Sequence, residues 1–138
     1  MAKRVKIDPE IFACASLFER IAKVRVKDSF EENETVYLIL YPGSLIKALG
    51  KGGENIKKLQ DRINKRVRLL EFSSDTKRFV KNFIYPNKVE EIEVSEDTVT
   101  IKDSSKKTKS LLIGRDAKNL KLLRKVVSRY FNKEVKIE

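Results

Sequence analysis

Two segments of this chain repeat each other at a constant spacing of 64 residues. LIKALGKGGENIKKL, which starts at Leu45, matches KSLLIGRDAKNLKLL, so that Gly50 falls on Gly114 and Asn55 on Asn119. Internal repetition constrains a fold strongly, because each copy must form the same supersecondary unit. The repeat predicts two related domains, residues 1–73 and 74–138, with a boundary near Ser73-Ser74.

Both copies are predicted to contain the same order of elements: helix, strand, strand, short helix, glycine-containing turn, helix, strand. Asp8-Pro9 and Asp75 are typical helix starts. In the first copy AKVRVKD, TVYLILY and RVRLLEF are predicted strands, and the polar SFEENE a loop or hairpin turn. In the second copy KVEEIEV, TVTIKD and EVKIE are predicted strands, and the polar SSKKTK leads into a short helix, SLLIG. The pattern indicates an α/β (α+β) chain.

The charge of the chain favours a polyanionic partner. The 138 residues include 31 Lys and Arg against 20 Asp and Glu, a net charge of +11. Residues 1–72 hold 15 basic and 10 acidic residues and the remainder 16 and 10, so the excess is spread over both copies. Nucleic acid is the first candidate partner and an anionic membrane surface the second. A lysine- and glutamate-rich surface adapted to heat would explain the 37% of charged residues, but not their imbalance.

Several classes of function are excluded or disfavoured. With no histidine and one cysteine, the chain has no His/Cys metal site, no histidine general base and no internal disulfide. Cys14 lies among apolar residues and is predicted to be a small buried side chain. We expect no cofactor and no enzymatic activity, because no paired carboxylates converge. The absence of a long apolar run, and of a signal-like start in MAKRVKIDPE, predicts a cytoplasmic protein without a membrane span.

Three of the five glycines lie within four residues, as Gly50, Gly52 and Gly53. One glycine after a helix is commonly a left-handed C-cap. Three lower the stability through unfolded-state entropy, and they leave backbone exposed for close contact with a phosphate. A helix predicted to begin near Glu54 adds free N–H groups and a positive dipole end, and Lys51 adds a charge.

Two other phosphate-binding motifs fail here. The P-loop needs a glycine five residues before Gly50, where Leu45 stands, and a Ser or Thr directly after Lys51, where Gly52 stands. The dinucleotide fingerprint fails in its spacing, and a helical segment precedes the glycines where that fingerprint needs a strand. What remains is a helix–GxxG–helix turn in a basic α/β module.

This turn resembles the KH domain, whose GxxG loop clamps the backbone of a short single strand. The helix and strands before the turn resemble the type II topology. Two such modules in tandem are similar to the NusA family of transcription termination/antitermination factors, and most to its short archaeal form. The resemblance covers essentially the whole chain and is sharpest in LGKGGENIKKLQ and IGRDAKNLKLLRKVVSRYF. It implies two tandem type II KH domains, each a small three-stranded sheet packed on helices.

The resemblance also implies RNA-binding residues in both copies. In the second copy, Asp116 and Ala117 replace the last two glycines. An acid repels phosphate and alanine disfavours positive φ, so we expect weaker or differently oriented RNA contact there. Ile46, Leu49 and Leu69 are candidates for the floor of an RNA groove, although singly they are more typical of core. The predicted RNA-binding residues are Gly50, Lys51, Gly52, Gly53, Asn55, Lys57, Lys58, Arg66, Arg68, Gly114, Arg115, Lys118 and Lys121.

The function implied is single-stranded RNA binding in transcription termination and antitermination by a monomer. The RNA is a nascent transcript or rRNA, and RNA polymerase is a candidate second partner. Bacterial members of the family carry further domains for which this chain has no room, which puts the polymerase contact in doubt. A ribosome- or RNP-associated assembly protein that uses the same fold is the open alternative, since fold does not determine function.

Overall fold

A computed structural model of the protein describes residues 8–138. The chain folds as two compact units, and the boundary between them in the sequence lies between Ser73 and Ser74. The first seven residues, where the predicted domain 1–73 begins, lie outside the described part, and the domain limits stay a prediction.

The unit that ends at Ser73 contains three helices and a three-stranded sheet in its described residues. The strand order is β1-β2-β3, with β1 and β2 antiparallel and β2 and β3 parallel. Val36 pairs with Val67 in the parallel ladder. Its elements are α1 (Pro9–Ala22), β1 (Val26–Glu32), β2 (Thr35–Leu40), α2 (Leu45–Leu49), α3 (Glu54–Ile63) and β3 (Arg66–Glu71).

The unit that begins at Ser74 repeats this arrangement. Its sheet has the order β4-β5-β6, with β4 and β5 antiparallel and β5 and β6 parallel. Val99 pairs with Val135, as Val36 does with Val67. The elements are α4 (Thr76–Ile84), β4 (Glu91–Val94), β5 (Thr98–Lys102), α5 (Lys106–Ile113), α6 (Lys118–Phe131) and β6 (Glu134–Ile137). The predicted fold of two tandem type II KH-like domains is confirmed.

The core of the first unit joins its helices to one face of its sheet. Val36, Leu38 and Leu40 alternate along β2 and are fully buried with Phe18 of α1 and Leu59 of α3. Successive residues of a strand point to opposite faces, so these three side chains lie on the face of the sheet that the helices cover. Tyr37 and Ile39, on the other face of β2, are also buried.

The cysteine and the first helix cap behave as predicted. Cys14 is a buried residue of this core, and burial raises the pKa of its thiol. The Asp8 side chain accepts from the N–H groups of Glu10 and Ile11 at 2.9 and 3.4 Å. It therefore satisfies two of the free donors at the start of α1.

Some element limits differ from the prediction. SFEE belongs to β1, not to a loop, because its residues pair along β2 and Phe30 stacks on Tyr37 with ring centroids 5.1 Å apart. The hairpin turn contains only Asn33 and Glu34, both with positive φ. Helix α5 already starts at Lys106, within the polar stretch, because the Ser105 side chain caps it through the N–H of Thr108 at 3.2 Å.

In residues 8–138, no helix combines the length and the apolar character needed to cross a bilayer.

Candidate nucleic-acid interface

The GKGG segment forms a tight turn between two helices. Helix α2 ends at Leu49, a short 3-10 turn covers Lys51–Gly53, and α3 begins at Glu54. The three glycines all have positive φ, at 70° for Gly50, 63° for Gly52 and 72° for Gly53. This region of φ disfavours residues that carry a Cβ. The conformation of the turn therefore favours glycine at all three positions.

Gly50 has a second role that depends on Asn55. The Asn55 side chain is 8% exposed and donates to the carbonyl of Ala48 at 3.1 Å and to that of Lys47 at 3.4 Å. It thereby satisfies carbonyl groups at the end of α2. A Cβ on Gly50 would lie 2.8 Å from the Asn55 amide nitrogen. Glycine at position 50 leaves space for the Asn55 side-chain amide, which connects α3 to the end of α2 by hydrogen bonds.

Gly52 and Gly53 make no comparable packing contact. An added Cβ at either position would meet nothing within 4 Å, so both positions face open space. No side chain caps α3, whose N-cap is Gly53. The Glu54 N–H donates to the Lys51 carbonyl. The N–H groups that follow it lie at a positively polarised helix end, with the exposed Lys51 in the same turn. Backbone donors, a helix end and a cation together suit an anionic ligand.

The GRDA segment adopts the same backbone conformation. Gly114, Asp116 and Ala117 have φ values of 76°, 55° and 59°, close to those of the three glycines. Asn119 repeats the role of Asn55, because its amide donates to the carbonyl of Leu111 at 3.1 Å, and a Cβ on Gly114 would lie 2.7 Å from that amide. Loss of two glycines has thus changed the charge and the local strain of the second turn, but not its shape.

Other predicted residues lie around the two turns. Lys57 and Lys58 are exposed in the first half of α3, next to the GKGG turn, and Lys118 and Lys121 are exposed in the first turn of α6. Ile46 on α2 is 87% exposed. The reading of Ile46 as a core residue is therefore wrong, and its side chain is an apolar surface beside the GKGG turn.

Arg66 and Arg68 lie away from the GKGG turn. Val67 and Leu69 of β3 pack with the core that contains α2 and α3, so the alternation of the strand places Arg66 and Arg68 on the opposite face of the sheet. Arg66 is exposed, whereas Arg68 is partly buried beside Tyr37 of β2. Burial lowers the pKa of the Arg68 guanidinium and raises that of the Tyr37 hydroxyl. RNA contact by these arginines stays a prediction that is separate from the turn.

Sequence reasoning missed the structural role of the two asparagines. Asn55 was predicted to contact RNA, but its side chain lies inside the unit and holds the turn. The available signal was the repeat itself, in which a glycine and an asparagine recur five residues apart in both copies. A repeated pair at fixed spacing indicates a contact within the unit as readily as a ligand site.

The comparisons with known proteins agree with this architecture. The probable transcription termination protein NusA of Methanococcus vannielii is 32% identical over 85% of this chain and 69% of its own length. The protein of the same name from Methanocaldococcus jannaschii is 31% identical over 94% of this chain and 72% of its own length. The crystal structure of APE1850 is 34% identical, with a TM-score of 0.76, and the match covers 96% of this chain and 100% of that one. No protein-family model matches the chain.

The fold and its two helix–turn–helix units define a protein of two tandem type II KH-like domains. At this identity over most of both sequences, the chain belongs to the archaeal NusA family of transcription termination proteins. The relatives from Methanococcus vannielii, Methanocaldococcus jannaschii and Thermoplasma acidophilum carry the name of a transcription factor and not that of an enzyme.

Proposed function

We propose that this protein binds single-stranded RNA in transcription termination and antitermination, and that its GKGG turn clamps the phosphate backbone. The observation that carries the proposal is the open space around Gly52 and Gly53 at the uncapped start of α3. Glycines that serve only a helix–helix turn need positive φ, and the second unit satisfies that need with Asp116 and Ala117. We therefore infer that Gly52 and Gly53 also keep the backbone of the first turn exposed.

The proposed clamp works through short-range electrostatics. A phosphate oxygen placed over Gly52 and Gly53 accepts from backbone N–H groups at the start of α3, while Lys51 neutralises its charge. Lys57 and Lys58 extend the positive surface along α3. Contacts of this kind position the strand and supply affinity without reading its sequence.

The second unit is proposed to bind phosphate poorly at its own turn. Asp116 occupies the position of Gly52, so a carboxylate stands where the first unit leaves the backbone uncovered. Arg115 matches Lys51 but has an acidic neighbour. Like charges repel an approaching phosphate at short range, and the GRDA turn is therefore expected to contribute little to affinity.

The test is a titration of a labelled RNA octamer, followed by fluorescence anisotropy at several salt concentrations. The variant Lys51→Asp/Gly52→Asp is chosen because the chain already holds an aspartate in the same conformation at Asp116, so the turn is expected to fold. We expect its affinity to fall by about tenfold or more, and the salt slope to drop by about 0.7 for each lost phosphate contact. Arg115→Asp is expected to bind nearly as the wild type does.

The control variant Ser74→Asp/Lys88→Asp introduces the same change of charge at two exposed positions outside the turn. Circular dichroism verifies that each variant is folded. If the turn variant and the control lose affinity equally, the clamp is refuted. The glycines would then serve only the connection between α2 and α3.

We propose further that the protein is a cytoplasmic monomer that acts during transcription, with RNA polymerase as the candidate protein partner. The names of the relatives support a role in termination. Reconstituted archaeal transcription across a terminator tests this role: the wild type changes the terminated fraction and the Lys51→Asp/Gly52→Asp variant does not. RNA binding without any effect on termination would favour the RNP-assembly alternative.

A further inference from the structure

One helix of the second unit has a strongly cationic outer face. The inner face of α4 contains its buried residues, Thr76, Phe79, Val80, Phe83 and Ile84. Lys77, Arg78 and Lys81 are exposed on the opposite face, and Tyr85, the C-cap residue, is 70% exposed. We call these four residues the α4 cationic face. Residues 76–89 contain no carboxylate, so the charge of this segment is not balanced by its neighbours in sequence.

The cations of this face have no polar partner in the described part of the chain. Within residues 8–138, the side chains of Lys77, Arg78 and Lys81 form no hydrogen bond and no ion pair. The carboxylate nearest in sequence, Asp75, is the N-cap of α4 and accepts from the N–H of Lys77 at 3.1 Å. The three positive side chains therefore lie in solvent and contribute no polar contact to the fold.

The positions of these charges do not favour the helix itself. Lys77 and Arg78 lie in the first turn of α4, which has no acidic residue, and the positive end of the helix dipole is there. Lys77 and Lys81 are four residues apart, a spacing at which like charges repel. The helix at the start of the first unit, α1, instead has Glu10 in its first turn. The α4 cationic face is thus neither a requirement of the fold nor a source of helix stability.

The spacing of the face matches that of a second helix. Side chains four residues apart on a helix are separated by about 6 Å, so Lys77, Lys81 and Tyr85 form a row about 12 Å long. Carboxylates four residues apart on a partner helix have the same spacing, and lysine and glutamate pair between helices in this way in coiled coils. Arg78 and Tyr85 are of residue types that are enriched at protein interfaces. The face therefore suits an acidic helix that also presents an apolar side chain.

RNA fits this face less well than it fits the GKGG turn. No side chain caps α3 at the GKGG turn, whereas at the start of α4 the Asp75 carboxylate already accepts from the N–H of Lys77. A phosphate at this end of α4 would lie close to a carboxylate, and like charges repel at short range. The face consequently offers an anion side-chain cations but no uncovered backbone donors at its helix start.

We infer that the α4 cationic face is the docking surface for an acidic helix of a partner protein. Carboxylates four residues apart would pair with Lys77 and Lys81, and an apolar side chain would pack on Tyr85. The inference goes beyond the proposed RNA clamp and does not depend on it, because α4 and the GKGG turn belong to different units. RNA, and a second copy of this chain through its acidic β4–β5 hairpin, are the alternatives that the experiments distinguish.

The first experiment is an NMR titration of the full ¹⁵N-labelled chain with a designed acidic peptide. The peptide has glutamates four residues apart with leucine beside them, and about twenty residues make it long enough to be helical in water. We expect amide shifts in residues 76–88 with this peptide and none there with the RNA octamer. Shifts in this segment with RNA but not with the peptide would overturn the inference, as would no shift with either ligand. A peptide of the same composition in scrambled order is the control, and equal shifts with it would refute the paired spacing.

A charge-reversal variant gives a second test. In Lys77→Glu/Lys81→Glu the first glutamate suits the first turn of a helix, so we expect the variant to fold, and circular dichroism verifies this. We expect its affinity for the glutamate peptide to fall by about tenfold or more, because attraction becomes repulsion. It should also bind a peptide with lysines in place of the glutamates more tightly than the wild type does.

The matched control is Lys106→Glu/Lys107→Glu, which makes the same change of charge at two exposed positions of α5. We expect it to change the affinity for the glutamate peptide by less than about threefold, in keeping with distant, screened charges. Equal losses of affinity in the two variants would refute the α4 cationic face as the docking surface.

Two further measurements separate this inference from the RNA clamp. We expect Lys77→Glu/Lys81→Glu to bind the RNA octamer within about twofold of the wild type, and Lys51→Asp/Gly52→Asp to bind the glutamate peptide as the wild type does. About a tenfold loss of RNA affinity in the α4 variant would overturn the inference, while the clamp is still judged by its own variant. Sedimentation of the wild type over a range of concentrations tests the last alternative. Self-association that the α4 variant abolishes would show that the partner is a second copy of this chain and would overturn the inference.

Discussion

At the scale of single residues, the GKGG and GRDA turns have the same backbone conformation although their residues differ. Gly52 and Gly53 adopt left-handed conformations that glycine allows at little cost, whereas Asp116 and Ala117 adopt nearly the same angles with a Cβ. A left-handed residue with a Cβ costs about 1–2 kcal/mol. The Gly–Asn pair and the flanking helices therefore impose the turn, and the second unit retains the shape despite that strain.

This strain predicts that Ala117→Gly stabilises the protein. Relief of the left-handed alanine exceeds the entropy that glycine adds to the unfolded chain, so we expect the free energy of unfolding to rise by about 0.5–1 kcal/mol. Urea denaturation followed by circular dichroism measures the change. Ala13→Gly is the control, because Ala13 is exposed within α1 and glycine there should destabilise by about 1 kcal/mol. A loss of stability in both variants would contradict the argument.

At the scale of elements, an asparagine side chain links the two helices on either side of each turn by a hydrogen bond. Asn55 and Asn119 each donate to a carbonyl of the preceding helix at 3.1 Å, but Asn55 is buried and Asn119 is exposed. Water can replace the bond of an exposed amide, while a buried carbonyl that loses its donor keeps its desolvation cost. The same contact is thus expected to contribute differently to the stability of the two units.

The matched variants Asn55→Ala and Asn119→Ala test this difference. We expect Asn55→Ala to lower the free energy of unfolding by about 1–3 kcal/mol, and Asn119→Ala by less than about 1 kcal/mol. Thermal and urea denaturation of the full chain provide the comparison. A larger loss in Asn119→Ala than in Asn55→Ala would show that burial does not determine the strength of this contact.

At the scale of the whole molecule, the net charge of +11 predicts a strong dependence of RNA binding on salt. With about four phosphate contacts, the logarithm of the association constant should fall with a slope near −3 against the logarithm of salt concentration. Anisotropy titrations between about 50 and 200 mM salt should then show a loss of affinity of more than tenfold. A slope close to zero would mean that binding does not depend on phosphate contacts. Circular dichroism over the same range of salt serves as the control for folding.

Much of the fold could be predicted because its signals are local. Helical periodicity, the caps at Asp8 and Asp75, and apolar alternation in TVTIKD depend on residues near each other in the chain. The polar SFEE strand could not be predicted, because contacts with residues outside the segment stabilise it: its pairing with β2, the stacking of Phe30 on Tyr37 and the ion pair of Glu31 with Lys65. The start of α5 at Lys106 differs from the prediction because the apolar LLI dominates the local pattern. The Ser105 cap that sets this start is a single polar contact.

The sequence by itself determined that this chain is basic and contains two repeated helix–turn–helix units. Repetition, charge and glycine spacing can all be read from the order of the residues. Only the tertiary structure decided what each residue of those units faces. It placed Asn55 inside the turn, Ile46 in solvent and Arg68 beside Tyr37 on the far face of the sheet. It also brought β6 next to α6 to form a cationic groove. Exposure and partners depend on packing between segments that are distant in the chain, and periodicity within one segment carries no information about that packing.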